Sequence, residues 1–126
     1  MMQRLFRTLC ALCALLWMAG YAHSAEEIIN FDSRVEVFQT GKLRVVETIR
    51  VRGENSQIRR GIYRDFPLMI EDAGGREREV AFEVLSVTRD GKPDEFRIDK
   101  ANRATRDSIG SKNVFIGAGE FTYTIT

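Results

Sequence analysis

Histidine, cysteine and tryptophan are almost missing from this sequence. Of its 126 residues, one is histidine, two are cysteine and one is tryptophan. All of them lie within segment 1–25, at Cys10, Cys13, Trp17 and His23. Residues 26–126 therefore lack the imidazole and thiolate groups that a Ser-His-Asp triad, a Cys-His pair or a zinc site requires. This part of the chain must also keep its fold without disulfides.

Nucleotide-binding glycine patterns and calcium-loop spacing are missing as well. The segment "GAGE" (117–120) lies between two predicted strands and opens no helix, unlike a phosphate-binding loop. Asp32, Asp65 and Asp72 do not have the spacing of calcium ligands in a binding loop. We therefore predict neither a cofactor nor a metal ion.

Neither sign of charge dominates. The chain has 19 basic and 18 acidic residues. Without segment 1–25, which contains Arg4 and Arg7, 17 of the 19 basic residues remain against 18 acidic ones, a net charge of −1. A near-neutral chain with both signs interspersed produces no global field that attracts nucleic acid. We therefore expect no nucleic-acid partner.

Segment 1–25 has the layout of a secretory signal peptide. Arg4 and Arg7 precede an apolar run at 9–18, and "AGYAHSA" (19–25) supplies the small residues at which a signal peptidase cuts. The apolar run is shorter than the roughly 20 residues that a membrane-crossing helix needs. We therefore favour a cleaved signal over an uncleaved anchor, and predict that residues 26–126 form one extracytoplasmic domain.

Alternating apolar and polar residues predict a β-hairpin near the start of this domain. Segments 28–38 and 43–51 flank the turn sequence "QTGK" (39–42). One face of each strand is apolar: Ile29, Phe31, Val35 and Val37 in the first, and Leu43, Val45, Ile49 and Val51 in the second. The pattern favours one buried and one solvent-facing side. Glu47 interrupts the apolar face, so we expect it to lie at an edge or to pair with an arginine.

The remainder of the chain also indicates strands and turns. Strands are predicted at 80–88, at 95–98 and on both sides of a glycine bend in 114–126, and turns or loops at 53–57, 69–79 and 89–94. Segment 99–113 is polar, with little to bury. No long segment has helical periodicity, so we predict an antiparallel β-sandwich, immunoglobulin-like or jelly-roll-like. Because the sequence stops within a strand-like run, we interpret the domain as incomplete and expect a further strand to pair with 120–126.

The segment "IRRGIYRDFP" (58–67) combines three arginines with a tyrosine, an aspartate and a proline. Guanidinium groups can hold a carboxylate or phosphate through two parallel hydrogen bonds. The candidate ligand-binding residues are accordingly Arg59, Arg60, Tyr63, Arg64 and Asp65, with an anionic envelope component or a protein as partner.

A purely structural interpretation of the same segment carries more weight. Asp65 can neutralise Arg59, Arg60 or Arg64, while Ile62 and Phe66 cover one end of the core. A single helical turn would align Ile58, Ile62 and Phe66, whereas an extended segment would align Ile62, Arg64 and Phe66.

Residues 26–67 also resemble a known family. The features in common are an "I-x-x-F-D" strand start, a "G-x-L-x-V-x-E-x-I-x-V" second strand, the run "R-R-G-I-Y-R-D-F-P" and, less closely, "GEFTYTIT" (119–126). They resemble the N-terminal domain of bacterial predicted membrane proteins known as domain of unknown function 2207. The resemblance implies an exported, β-rich domain followed by transmembrane helices, so we expect a membrane tether after residue 126. It implies no reaction.

These observations predict a binding or interaction module on the extracytoplasmic side of a membrane protein, without catalytic residues. Two alternatives remain open. One is a cell-wall glycan hydrolase that uses carboxylates, with Glu27, Asp32, Glu47 and Asp65 as candidates. The other is a structural spacer that positions a membrane domain.

Overall fold

The computed structural model describes residues 26–101 and 103–126. The predicted signal peptide lies outside these ranges. The strands are β1 (Glu27–Val37), β2 (Leu43–Gly53), β3 (Ile62–Pro67), β4 (Met69–Glu71), β5 (Glu77–Glu79), β6 (Val87–Arg89), β7 (Lys92–Pro93), β8 (Phe96–Lys100), β9 (Ala104–Ile109) and β10 (Gly119–Ile125). Within the described ranges, no helical segment has the length and apolar character needed to traverse a bilayer.

Two antiparallel sheets enclose the core. The larger has the strand order β1-β2-β10-β6-β7 and the smaller the order β3-β9-β8, while β4 and β5 form a separate short hairpin. The buried core residues are Ile49, Val51, Val87, Tyr123 and Ile125 from the larger sheet, Ile109 from the smaller sheet, and Val84 from the segment before β6. This arrangement confirms the predicted mostly β, sandwich-like fold.

The predicted first hairpin is present. Phe38 N–H donates to Lys42 O, and Gly41 N–H donates to Phe38 O, both at 2.9 Å. Gly41 has a φ of 80°, a left-handed conformation that glycine adopts without strain. The β1–β2 register places Phe31 opposite Ile49 and so on one face with it, as predicted. A bulge between Ile28 and Asn30 takes Ile29 out of the alternation.

The middle of the chain differs from the predictions. Of the predicted strand 80–88, only residues 87 and 88 lie in a strand, β6 (Val87–Arg89), and residues 80–86 are irregular. The predicted loop 69–79 contains the hairpin of β4 and β5. Segment 99–113 contains β9, the central strand of the smaller sheet, although it has few apolar residues. Its inward-facing positions are Thr105, Asp107 and Ile109, all buried, so β9 is a core strand with a largely polar inner face.

The last strand is internal to the larger sheet. β2 pairs with one side of β10, and β6 pairs with its other side over residues 123–125. The expectation that a further strand pairs with 120–126 is therefore wrong for 123–125, where both sides are occupied.

Residues 62–67 are extended, so the helical alternative for "IRRGIYRDFP" is wrong. Ile62, Arg64 and Phe66 face inward and the residues between them face solvent. Ile62 packs against the core, and the Phe66 ring centroid lies 4.7 Å from that of Phe82. Gly61, with a φ of 138°, enters β3 so close to β9 that a Cβ would lie 1.7 Å from Ile109 O. A residue with a side chain cannot occupy this position without moving the backbone.

Candidate functional site

A partly buried ion pair connects the two sheets. Arg64 Nε and Nη2 of β3 donate to Glu47 Oε2 and Oε1 of β2, each at 2.7 Å. Glu47 is only 5% exposed, and the hydrogen bond with Glu47 raises the pKa of Arg64. The Arg64 guanidinium carbon also lies 5.4 Å from the Phe31 ring centroid and 4.7 Å from that of Phe66. The sequence predicted that Glu47 would lie at an edge or pair with an arginine, and the second alternative is correct.

Asp107 lies directly opposite Arg64 in the β3–β9 register. Its side chain is fully buried, and neither carboxylate oxygen has a hydrogen-bond partner among the described residues. Burial raises its pKa to about 6, with Arg64 acting in the opposite direction and Asp65 and Glu47 adding to the rise. No sequence pattern indicated this group, because an aspartate inside a polar segment normally signals a solvent-facing loop. A fully buried carboxyl cannot contact a solute, so Asp107 itself contributes to the fold.

The outer face of the smaller sheet is a polar, solvent-exposed surface. Arg106 of β9 donates from Nε and Nη2 to Asp65, both at 2.7 Å, and this bond lowers the Asp65 pKa. The predicted side-chain partners of Asp65, namely Arg59, Arg60 and Arg64, are therefore wrong. Tyr63 is 72% exposed, with the Arg106 guanidinium carbon 5.7 Å from its ring centroid. Arg97 and Asp99 of β8 form a further exposed pair on this sheet.

Arg59 and Arg60 lie on the loop before β3. Their guanidinium carbons are 5.2 Å and 4.5 Å from the centroid of the Phe115 ring, which is itself exposed. Ile116 N–H donates to Arg59 O at 3.0 Å and so joins this loop to the segment before β10. Both arginines are exposed, and they are the predicted site residues best placed to contact an anion.

The carboxylate of Glu26 organises the preceding loop. It accepts backbone N–H groups at 3.0, 2.9, 2.6 and 3.0 Å from Glu54, Ser56, Gln57 and Ile58. Burial would raise the Glu26 pKa, but the four hydrogen bonds together lower it to about 2. Successive N–H groups that converge in this way form an anion-binding nest, and Glu26 of the same chain fills it.

The five predicted binding residues thus occupy three separate places. Arg64 faces the core and is neutralised by Glu47. Tyr63 and Asp65 face solvent on the opposite side of β3, where Arg106 neutralises Asp65. Arg59 and Arg60 lie beside Phe115. Alternation along the extended strand separates these side chains, so the structure does not gather them around one anion.

The hairpin of β1 and β2 presents an uncovered apolar face. Phe31, Val35 and Val37 of β1 lie opposite Ile49, Val45 and Leu43 of β2, so all six share the face that becomes the core further along β2. Near the turn this face is exposed: Val37 is 73% and Leu43 61% exposed. The sequence correctly predicted that these six residues share a face, but not that four of them, Phe31, Val35, Val37 and Leu43, would be exposed.

An open cleft of about 210 Å³ lies near β6 and β7. Its walls are formed by Arg89, Pro93, Asp94, Glu95, Ser111, Val114 and Ile116. None of the predicted binding residues lines it. Asp94 neutralises Arg89 across 3.0 Å, whereas the exposed Glu95 carboxylate has no ion-pair partner within the described residues.

Three of the four carboxylates proposed for hydrolysis are paired with arginine. Glu27 pairs with Arg52, Glu47 with Arg64 and Asp65 with Arg106. The fourth, Asp32, is exposed on β1. General acid catalysis near neutral pH depends on a carboxyl that keeps its proton, whereas the arginine lowers the pKa of Asp65.

Comparison with known proteins gives two similarities. Residues 27–126 match the model of the family described as predicted membrane protein (DUF2207) N-terminal domain. Over 128 aligned residues the chain is 27% identical to the uncharacterized protein YciQ of Escherichia coli strain K12. The alignment covers 95% of this chain and 20% of YciQ. No solved structure matches this chain significantly. Because the family model extends over most of the chain, from the start of β1 to the last residue, the chain belongs to the DUF2207 family of predicted membrane proteins, as the resemblance of residues 26–67 implied.

Proposed function

We propose that this chain is an extracytoplasmic interaction domain of a membrane protein. The membrane association is supported by the family, whose members are described as predicted membrane proteins. The extracytoplasmic side is supported by the charged start, apolar run and small-residue end of segment 1–25. The chain spans 20% of the length of YciQ. A membrane tether after residue 126 therefore belongs to this proposal, as does any activity of the whole protein.

The uncovered face of the β1–β2 hairpin is the observation that carries the interaction role. Val35, Val37 and Leu43 each expose more than half of their surface, and they continue the face that is buried at Ile49 and Val51. Contiguous exposed apolar surface on a soluble fold is typical of a protein-binding site. β1 is also an edge strand, whose backbone groups can pair with another chain.

Two alternatives have less support. A carboxylate-based hydrolase requires accessible, unpaired carboxylates, and Asp32 alone among the four candidates has no ion-pair partner within the described residues. A spacer would need no exposed apolar hairpin face. Anion binding at Arg59 and Arg60, which flank Phe115, is compatible with the interaction role and would add a second contact.

Photo-crosslinking in the producing cell tests the proposed function. A photoreactive amino acid at Val37, on the uncovered face, should give a discrete covalent adduct. The same amino acid at Glu79, which is exposed on the separate β4–β5 hairpin, is the control and should give none. Absence of an adduct at Val37, or equal adducts at both positions, contradicts the proposal.

A further inference from the structure

The outer edge of β1 has a self-complementary sequence. Within the described residues β1 pairs only with β2, so its other side has no strand neighbour. Around Ser33 the order is Phe31-Asp32-Ser33-Arg34-Val35: apolar, acidic, serine, basic, apolar. All five residues are exposed. Reversing the strand about Ser33 exchanges the acid with the base and one apolar residue with the other.

The backbone of β1 is directed correctly for pairing about Ser33. Phe38 N–H donates to Lys42 O, so this pair is hydrogen-bonded. In an antiparallel ladder, hydrogen-bonded and non-hydrogen-bonded pairs alternate. The pairs that contain Phe31, Ser33 and Val35 are then of the second kind, and the N–H and C=O groups of these three residues point to the open edge.

The same alternation is visible across the sheet. Asp90 N–H donates to Thr122 O at 2.8 Å, and Thr126 N–H donates to Ser86 O at 3.0 Å. The backbone N–H and C=O groups of even-numbered β10 residues therefore point towards β6, and those of odd-numbered residues point towards β2. The backbone groups of odd-numbered β2 residues in turn point towards β10. Those of even-numbered β2 residues are then directed towards β1.

We propose that two copies of this chain associate through antiparallel pairing of their β1 edges, with Ser33 on the two-fold axis. This inference rests on the proposed interaction role and names the partner. Ser33 of each copy hydrogen-bonds Ser33 of the other, and Phe31 lies opposite Val35. Asp32 lies opposite Arg34 twice, in non-hydrogen-bonded pairs, where side chains approach most closely. The larger sheets of the two copies become one continuous sheet.

The charges favour this register over the two adjacent ones. The two β1 backbones can hydrogen-bond only in registers that place residues with outward-pointing N–H and C=O groups opposite one another. The two-fold axis therefore passes through a residue, and its position in successive registers differs by one residue. Centring it on Asp32 places two aspartates opposite each other, and centring it on Arg34 places two arginines opposite each other and Asp32 opposite Glu36. Like charges directly opposite destabilise a strand pair. An axis through Val35 would instead place Arg34 opposite Glu36, and the tests below separate that register from this one because it brings neither Asp32 opposite Arg34 nor the two copies of Ser33 together. Within β1, Asp32 and Arg34 face Thr48 and Val46 of β2, so their charges have no cross-strand partner in the single copy.

The pairing also changes what lies beside the uncovered hairpin face. In this register Val35 of one copy lies beside Phe31 of the other, whose ring already contacts Arg64 of its own smaller sheet at 5.4 Å. The exposed end of one hairpin thus extends next to the covered end of the other. The apolar side chains of the second copy therefore lie laterally beside this face on both sides of the two-fold axis, and the face itself stays open.

Charge reversal tests the register. Asp32→Arg creates two Arg-Arg contacts, and Arg34→Asp creates two Asp-Asp contacts. Each single change should weaken dimerisation of the purified chain by about tenfold or more in sedimentation equilibrium. The double variant Asp32→Arg/Arg34→Asp restores both pairs and should recover dimerisation. A chain that is monomeric at all concentrations, or a double variant as weak as the single ones, overturns the proposal.

Cysteine substitution tests the position of the axis. Ser33→Cys places two thiols across a hydrogen-bonded pair, where the Cα atoms are about 5.5 Å apart, within the range of a disulfide. Glu36→Cys is equally exposed but about 20 Å from its copy at a strand rise of roughly 3.4 Å per residue. Mild oxidation should give disulfide dimers with Ser33→Cys and not with Glu36→Cys, above the background of the parent chain, whose Cys10 and Cys13 remain in any unprocessed form. The opposite pattern contradicts pairing about Ser33.

Crosslinking and oxidation together distinguish the two proposals. An adduct at Val37 with twice the mass of the chain supports both. An adduct with another protein, together with no disulfide from Ser33→Cys, retains the interaction role and rejects the second copy. Absence of both the adduct and the disulfide rejects both.

Discussion

The two ends of β2 are built alike but have different surroundings. Leu43 near the turn and Ile49 in the middle of the strand lie on the same face, and their side chains are isomers. Leu43 is 61% exposed, whereas Ile49 is 4% exposed. The difference is that the smaller sheet covers only one end of the hairpin, where Arg64 reaches Glu47. Membership of a face is thus a local property, and burial is decided by strands that come later in the chain.

The two faces of β3 give a parallel contrast between ion pairs. Arg64–Glu47 and Arg106–Asp65 have the same bidentate geometry, with contacts of 2.7 Å. The first joins the two sheets with Glu47 buried, while the second is more than half exposed on both partners. Exposed pairs add about 0–1 kcal/mol to stability, whereas removal of one partner from a buried pair is costly because it leaves a desolvated charge.

The largest expected effect separates the two ends of β2. Ile49→Ala should lower the free energy of unfolding by about 2–5 kcal/mol, because it leaves a cavity in the core. Leu43→Ala removes the same number of carbon atoms from an exposed site and should change it by less than about 0.5 kcal/mol. Urea unfolding of both variants, at a concentration where the chain is monomeric, measures the difference. Equal losses would mean that the hairpin is covered in solution.

A smaller effect separates the two ion pairs. Glu47→Gln leaves Arg64 without its charge partner between the sheets, and we expect a loss of about 2–3 kcal/mol. Asp65→Asn breaks the matched pair on the outer face and should cost about 0–1 kcal/mol. Thermal unfolding of both variants provides the comparison. A cost for Asp65→Asn as large as that for Glu47→Gln would show that the outer face is shielded from solvent.

The sequence predicted the local features of this fold well. Alternation located β1, β2 and β10, and Gly41 and the Asp90-Gly91 turn marked reversals of the chain. Each of these signals depends on side chains close together in sequence, so composition and period suffice to detect them. The predicted sandwich followed from their number and spacing.

The features that the sequence missed depend on distant residues. β9 is a core strand although its inner face includes Thr105 and Asp107, because Arg64 lies opposite Asp107 and the core includes Ile109. Arg106 could not be predicted as the partner of Asp65, since the two are 41 positions apart. The predicted binding residues are divided for a local reason: an extended strand turns Arg64 away from Tyr63 and Asp65, and that conformation was one of two left open.

The smallest expected effect concerns Asp107 at the covered end, and it depends on pH. Its pKa is raised from 3.8 to about 6 in the folded chain, so the folded state holds more protons than the unfolded state between these values. The contribution of Asp107 to stability should therefore fall as the pH rises from about 4 through 6. The carboxyls with lowered pKa values contribute in the opposite direction, because their stabilising effect increases as the pH rises through their ordinary values of 3.8 to 4.5; they are Glu26, Asp65, Asp72, Glu77, Asp99 and Glu120.

Asp107→Asn isolates this contribution. The amide has nearly the same shape and no charge, so at pH 7.5 the variant should be more stable than the parent by about 1–2 kcal/mol, because burying a neutral amide costs less than burying a carboxylate. The advantage should shrink as the pH is lowered towards 4, because the parent carboxyl then gains its proton. Melting temperatures of both chains between pH 4 and 7.5 measure this, with about 4–8 °C expected per kcal/mol. Parallel pH profiles would show that Asp107 is not protonated more readily in the folded state, and that enough water reaches the Asp107 carboxylate to hydrate its charge.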